Sequence, residues 1–248
     1  MQRARSAPTA RRPPSAEPPP GLSMQVEVRH NPSFAVARVT LAAGESVRAE
    51  SGAMMAMSAD VTIEAKTGGG LLKGLRRSVL GGESLFVTRF TAGPGGGWVD
   101  LAGNLPGDVT TIDVAGAMNL TRGGWLCSSD GVEIDTKWGG FKNLVGSEGG
   151  FLVRAEGTGQ VLASCYGALD RIELGPGEKV IVDSGHVVAF GDGLSYDTRT
   201  VTRGLVQTLK SGEGFVFDFT GPGPLWIQSR NPTEFLAWLT DRLPFSRE

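Results

Sequence analysis

Cysteine, histidine and tyrosine are scarce, with two of each in 248 residues. Cys127 and Cys165 show no CxxC spacing, which argues against a zinc site. Two cysteines are too few for a fold held together by disulfides. Buried free thiols are expected, and a single disulfide is the alternative that stays open. His30 and His186 lie far apart, in no metal-binding pattern, so each is expected to be a surface or satisfied histidine. No run of about 18 apolar residues is present, and no membrane-spanning helix is expected. A surplus of positive charge is also missing, since 24 Lys and Arg stand against 26 Asp and Glu. Broad nucleic-acid binding needs a basic face, so DNA is not an expected partner.

The basic residues that do cluster lie at the start. Arg3, Arg5, Arg11 and Arg12 face only Glu17 within residues 1–23. This Pro/Arg-rich segment has nothing to bury and is expected to be a disordered tail. PPSAEPPP follows the twin arginines where an export signal needs an apolar stretch. The same prolines would break the amphipathic helix of a transit peptide. Met24 opens the folded part and is an alternative start. A cytoplasmic location is expected.

Glycine is abundant instead, at 37 residues, spread through GG, PG, GPG and DG turns. Between the turns, apolar and polar residues alternate, as in Val26, Val28, Phe34, Val36, Val39 and Leu41. Period-two patterning with β-branched residues predicts strands. The pattern also recurs. Glu83, Glu148 and Glu213 are spaced 65 residues apart, in the phrases GESLF, SEGGF and GEGFV. Gly-acid openings recur in GESVRAESGAMMAM (44–57), GDVTTIDVAG (107–116) and GEKVIVDSGHVVAF (177–190). Ser/Gly/Asp turns follow at Ser51, Ser129 and Ser184. Turns at TAGPGGG (91–97), EGTG (156–159) and TGPG (220–223) precede a last strand in each copy.

The predicted fold is therefore all-β, with residues 24–232 forming three antiparallel units of about 65 residues. One unit cannot bury both faces, and three together can share a core. Sandwich-like or double-stranded β-helix-like units around a pseudo-threefold axis are expected. Residues 233–248 form a C-terminal helix and tail. Asn231 reads as its N-cap, Pro232 as its first position and Glu234 as the capping-box acid. Phe235, Leu236, Leu239 and Leu243 recur at helical spacing, and Pro244 stops the run. The expected job of this helix is packing.

Three constellations invite a chemical reading. Asp183-Ser184-Gly185-His186 resembles the start of a hydrolase site, which needs a base within reach of the serine. Glu50-Ser51-Gly52-Ala53 repeats the turn without a histidine, so a structural turn is expected, and GxSxG is absent. The three spaced glutamates converging on an axis would repel or bind a cation. Their expected role is to tie down glycine turns by accepting backbone hydrogen bonds. Gly68-Gly69-Gly70 lacks the frame of a phosphate loop. The best functional candidate is 71–80. Read as a helix, Leu71, Leu72, Leu75 and Val79 share a face, and Lys73, Arg76 and Arg77 lie off it. Such a segment suits an anionic membrane surface or a protein partner. Phe141, Leu144, Leu205 and Leu209 hold similar places in the other copies, which equally fits packing on a core or across a subunit interface.

Longer phrases carry a family likeness. They are GLLKGLRRSVLGGESLFVTRFTA, LPGDV, DTKWGGFKNLVGSEGGFLVRAEGTG, CYGALDRIELGPGEKVIVDSGHVVAF and FTGPGPLWIQSRNP. Together they resemble the altered-inheritance-of-mitochondria family, and more closely its bacterial members, a domain of unknown function. The likeness spans nearly all of 24–232. It implies a TRAP-like β fold of repeated units, similar in architecture to the tryptophan RNA-binding attenuation protein, and homotrimers. The family's fungal mitochondrial members are associated with inner-membrane organisation. No catalytic residue comes with the likeness, and the tail and helix are extensions to it. A shared fold is no evidence of RNA binding. The expectation is a non-enzymatic oligomeric β scaffold without cofactor or metal, possible at a membrane surface. The alternative is a small-molecule or RNA binder using clefts between units.

Overall fold

A computed structural model describes residues 24–66, 87–135, 152–200 and 215–243. The tail 1–23 lies outside these, as do Glu83, Glu148, Glu213 and the basic segment 71–80. The described residues are predominantly strand, with one α-helix at the end.

The first stretch carries β1 (Gln25–Arg29), β2 (Val36–Leu41), β3 (Ser46–Glu50), β4 (Met54–Met57), β5 (Val61–Lys66), β6 (Val87–Ala92) and β7 (Gly97–Ala102). β2 shows why these residues make strands. Ala37, Val39 and Leu41 are buried and Arg38 and Thr40 point away, following the period of two. Phe34 alternates with this strand in sequence but sits in the turn before it, and it is largely exposed. β2 pairs with β7, β4 with β7, β3 with β6 and β5 with β6, all antiparallel.

The middle stretch carries β8 (Val109–Thr121), β9 (Trp125–Ser129), β10 (Val132–Asp135) and β11 (Leu152–Ser164). EGTG (156–159) reads as a turn in the sequence, but β11 runs straight through it. Its whole length pairs with β8, from Leu152 opposite Thr121 to Ser164 opposite Val109. Gly157 lies opposite Gly116, both with positive φ, and the pairing continues past them without a break. β9 pairs with the C-terminal part of β11 and β10 with its N-terminal part. A second correction concerns Ser129. Ser51 and Ser184 follow β3 and β13 directly, whereas Ser129 ends β9. The short 3-10 turn Arg122–Gly124 follows β8, as Ser184–His186 follows β13.

The last stretch carries β12 (Leu169–Leu174), β13 (Lys179–Asp183), β14 (Val187–Gly191), β15 (Ser195–Thr200), β16 (Phe215–Thr220) and β17 (Gly223–Gln228). β12 and β14 pair with β17, and β13 and β15 with β16. Two turns of like construction enter β3 and β13. The Glu45 carboxylate accepts from the Ala42 N–H at 2.7 Å, and Glu178 accepts from the Gly175 N–H at 2.9 Å. The residues just before these glutamates, Gly44 and Gly177, have positive φ, which glycine adopts without strain.

The strands assemble into three sheets. One has the order β1-β2-β7-β4, and another β13-β16-β15. The largest runs β12-β17-β14-β8-β11-β9-β3-β6-β5, with β10 alongside β11. Two ladders join the stretches: β9 pairs with β3, and β14 with β8. Three buried clusters form the core; the first and third draw on two sheets each, and the strand residues of the second all come from the largest sheet. The first gathers Val39, Val47, Phe90 and Leu101, the second Leu120, Trp125 and Val161, and the third Val182, Phe217, Phe219 and Leu225.

Helix α1 (Pro232–Arg242) closes the described chain. Asn231 caps it, its Oδ1 accepting from the Thr233 and Glu234 N–H groups at 2.9 and 3.4 Å. Packing is more limited than the apolar spacing implies. Phe235 contacts the Tyr166 ring with centroids 5.5 Å apart, while Leu236, Trp238 and Leu243 stay exposed. No residue of the helix itself is buried.

Candidate functional site

The serine–histidine neighbours at 184–186 form a short 3-10 turn that links β13 to β14. Asp183 caps this turn, its Oδ1 accepting from the Gly185 N–H at 2.8 Å. The same oxygen accepts from Asn231 Nδ2 at 3.3 Å. His186 Nδ1 meets the Gln228 carbonyl at 2.7 Å. Gln228 completes the set, donating through Nε2 to the Gly185 carbonyl and accepting the Tyr166 N–H through Oε1, each at 2.8 Å. Three of these bonds, joining Asn231 to Asp183 and both His186 and Gly185 to Gln228, tie the β13–β14 turn to β17 and the helix cap. The chemistry is that of a polar clasp.

The remaining scarce residues lie apart. His30 is exposed, in the turn after β1, with φ of 60°. Cys127 and Cys165 are both buried and free. Burial pushes the Cys127 thiol far above its usual range and the Cys165 thiol up to about 11, so both stay protonated at neutral pH. Among the described residues, no three His, Cys, Asp or Glu side chains are grouped to hold a metal. No helix among them is long and apolar enough to cross a membrane.

Asp100, Asp130 and Asp192 each bond arginine from other strands. Asp100 on β7 is buried and held by Arg38, with Nε and Nη2 bonds of 2.8 Å each, and by Arg29 Nη2 at 2.9 Å. The Arg38 bonds hold this carboxyl below the usual range against the desolvation that would raise it. The other two lie where the stretches join. Asp130, just after β9, takes Arg48 at 3.2 Å and Arg89 at 2.7 Å from β3 and β6. Asp192, just after β14, takes Arg154 of β11 at 2.6 Å. The Arg154 bond is the main cause that holds the Asp192 carboxyl below its usual value, with Asn119 of β8 helping. Each joint thus pins one aspartate of an arriving strand with donors from the sheet it meets.

A cavity of about 260 Å³ lies between the first and middle stretches. Phe34, Val36, Asn104, Asp108, Ser164 and Cys165 are among the residues lining it. Gly107 stands at its wall, and a Cβ there would run into the Cys165 carbonyl.

The surface feature that the sequence reading missed lies on two of the strands that end sheets, β4 and β13. β4 pairs only with β7, and β13 only with β16, so each leaves one edge without a strand among the described residues. Met54 and Met55 on β4 and Ile181 on β13 are exposed. In the sequence, MMAM (54–57), WLCS (125–128) and VVAF (187–190) carry the same apolar signal. Nothing local separates the first of them from the two that are covered.

The class these features define is an antiparallel β protein of stacked sheets with apolar cores and a short terminal helix. The model of the family described as "Mitochondrial biogenesis AIM24" matches residues 26–230. The chain belongs to this family. An uncharacterised protein of Streptococcus pyogenes serotype M6 is 32% identical over 233 residues, covering 90% of this chain and 92% of that protein. The crystal structure of a Streptococcus pyogenes protein, a structural-genomics target, superposes with a TM-score of 0.73 at 30% identity. That likeness covers 89% of this chain and all of the other.

Proposed function

We propose that this protein is a non-enzymatic, self-associating β scaffold built from three copies of one TRAP-like unit, acting in the cytoplasm as an interaction module. The recurrence of one set of four ladders carries the reading. β2·β7, β3·β6, β4·β7 and β5·β6 have counterparts in the two halves of β8 with β11 together with β9 and β10, and again in β12 to β17. Even the irregularity recurs: one extra residue bulges in each short strand, at Met55, Leu126 and Val188. The described polar clusters are absorbed in joints and turns, which favours a binding role over chemistry. Homotrimers are the expected assembly. Light scattering should give a multiple of the 26.0 kDa chain mass, and a monomer at every concentration refutes the scaffold reading.

Membrane-surface attachment through Leu71, Leu72, Lys73, Leu75, Arg76 and Arg77 extends this proposal. Flotation with vesicles rich in anionic lipid should fail for a Lys73/Arg76/Arg77→Glu variant, and equal flotation of both proteins refutes it. The cavity between the first and middle stretches favours one second reading, a small-molecule or RNA binder using clefts between units. Native mass spectrometry of freshly purified protein tests it. A retained ligand or nucleic acid supports it, and a clean apo mass counts against it.

A further inference from the structure

Strands β4 and β13 stand at the two ends of a series whose inner joints are visible in the same molecule. At the first joint β9 pairs with β3, placing Cys127 opposite Ala49, Ser128 opposite Arg48 and Ser129 opposite Val47. At the second, β14 pairs with β8, placing Ala189 opposite Leu120, Phe190 opposite Asn119 and Gly191 opposite Met118. The registers agree residue for residue once the bulges are aligned. In that alignment β4 is the arriving strand with no sheet to meet, and β13 is the receiving strand with nothing arriving.

The bulged residue shows what each joint accomplishes. Leu126 is 0% exposed and belongs to the cluster of Val47 and Phe90, in the preceding unit. Val188 is 1% exposed and belongs to the cluster of Leu120 and Trp125, again one unit back. Each arriving strand therefore completes its predecessor's core. Met55, at the same place, is 57% exposed. The third cluster, around Val182, Phe217 and Phe219, receives no such side chain among the described residues. Ile181 tells the same story from the other side. Its counterparts Arg48 and Asn119 lie under an arriving strand, whereas Ile181 is 58% exposed.

We infer that β4 of one copy pairs with β13 of a second copy, antiparallel and head to tail, with Met55 entering the third core of its neighbour. Carrying the internal register across sets Ala56 opposite Val182, Met57 opposite Ile181 and Ser58 opposite Val180. This inference rests on the triplicated, self-associating reading above and names its interface. The contact is heterologous, so copies join into a ring if the rotation closes and into an open chain if it does not. The arginine–aspartate pairs of the inner joints are not repeated. Asp218 stands opposite Ile181 where Arg89 and Arg154 stand opposite Arg48 and Asn119, and Ala59 replaces Asp130 and Asp192. The junction between copies thus depends on strand pairing and apolar burial. It is weaker than the inner joints and insensitive to salt.

The test uses two single-edge variants of the full chain, Met55→Lys and Ile181→Lys. Lysine on an edge strand opposes pairing, and both sites are exposed, so the fold of a single copy is unaffected. Light scattering should show each variant at the monomer mass of 26.0 kDa under conditions that assemble the parent, with self-affinity weakened at least about tenfold. Mixed together they should form a 1:1 heterodimer, since each retains the edge its partner lost. Variants that keep the parent's mass overturn this interface while leaving self-association standing. A parent that is monomeric throughout overturns both. A mixture that stays monomeric, with melting curves matching the parent, overturns the head-to-tail pairing. Independently, a Ser58→Cys/Val180→Cys protein treated with a short bismaleimide should give a ladder of covalent oligomers in denaturing electrophoresis. Chains that remain single overturn the register.

Discussion

Shortening the bulged side chains at the two inner joints should cost the whole body stability. Leu126 is fully buried in a cluster built mainly by strands of the first stretch, although it belongs to β9. Leu126→Ala removes three carbons from this dry site and leaves a cavity walled by strands that are hydrogen-bonded on both sides. Collapse is therefore limited, and a loss of about 3 kcal/mol is expected. Val188→Ala removes two methyls from the second cluster, for about 1.5 to 2 kcal/mol. For a chain of this size those losses lower the melting temperature by about 6 to 12 °C and 3 to 8 °C. Met55→Ala, at the corresponding exposed position, should leave the dilute monomer within about 0.5 kcal/mol of the parent. Urea unfolding followed by tryptophan fluorescence measures all three. Trp125 and Trp226 lie in the second cluster and report on it directly. Because the clusters are stitched by shared strands, the parent should unfold in one transition. If Leu126→Ala costs less than about 1 kcal/mol, or if the variant melts in separate steps, the claim that arriving strands complete the preceding core is wrong.

Asp100→Asn should destabilise at neutral pH by leaving Arg29 and Arg38 without their carboxylate. The folded-state pKa of Asp100 lies below its ordinary value, so its contribution is complete above about pH 4 and disappears as pH falls through the depressed value. The stability gap between parent and variant, read by urea titration, should accordingly narrow in acid. A gap independent of pH refutes the assignment. Asn231→Ala should remove the helix cap and the Asp183 contact together, at a cost of about 1 kcal/mol, seen as lost helical ellipticity and faster proteolysis near residue 232. Gly107→Ala should fold poorly, because its Cβ meets backbone rather than a movable side chain, and soluble yield at 37 °C checks this. Cys127 and Cys165 should resist iodoacetamide at pH 8 in the native protein and react in urea, as burial keeps both thiols protonated.

Local chemistry by itself determined a good deal. Alternation marked the strands, since side chains on a pleated backbone must part to two faces. Asn231, Pro232 and Glu234 marked the helix start, because capping needs only neighbours in sequence. Gly44-Glu45 and Gly177-Glu178 marked matching turns for the same reason. Ser129 read as a turn beside Ser51 and Ser184, whereas it ends β9. The glycines of 156–159 read as a turn, and only pairing with β8 along the full length makes them strand. Tertiary structure alone decided the roles at the candidate sites. His186 bonds the Gln228 carbonyl, which is a partner 42 residues away that no local pattern announces. The quartets 54–57, 125–128 and 187–190 are alike in sequence, yet the last two are buried throughout and the first is exposed at Met54 and Met55. Whether such a strand is core or surface depends on whether a sheet stands before it. β9 meets β3 and β14 meets β8, whereas β4 pairs with β7 alone among the described strands, and only pairing across the fold sets that difference.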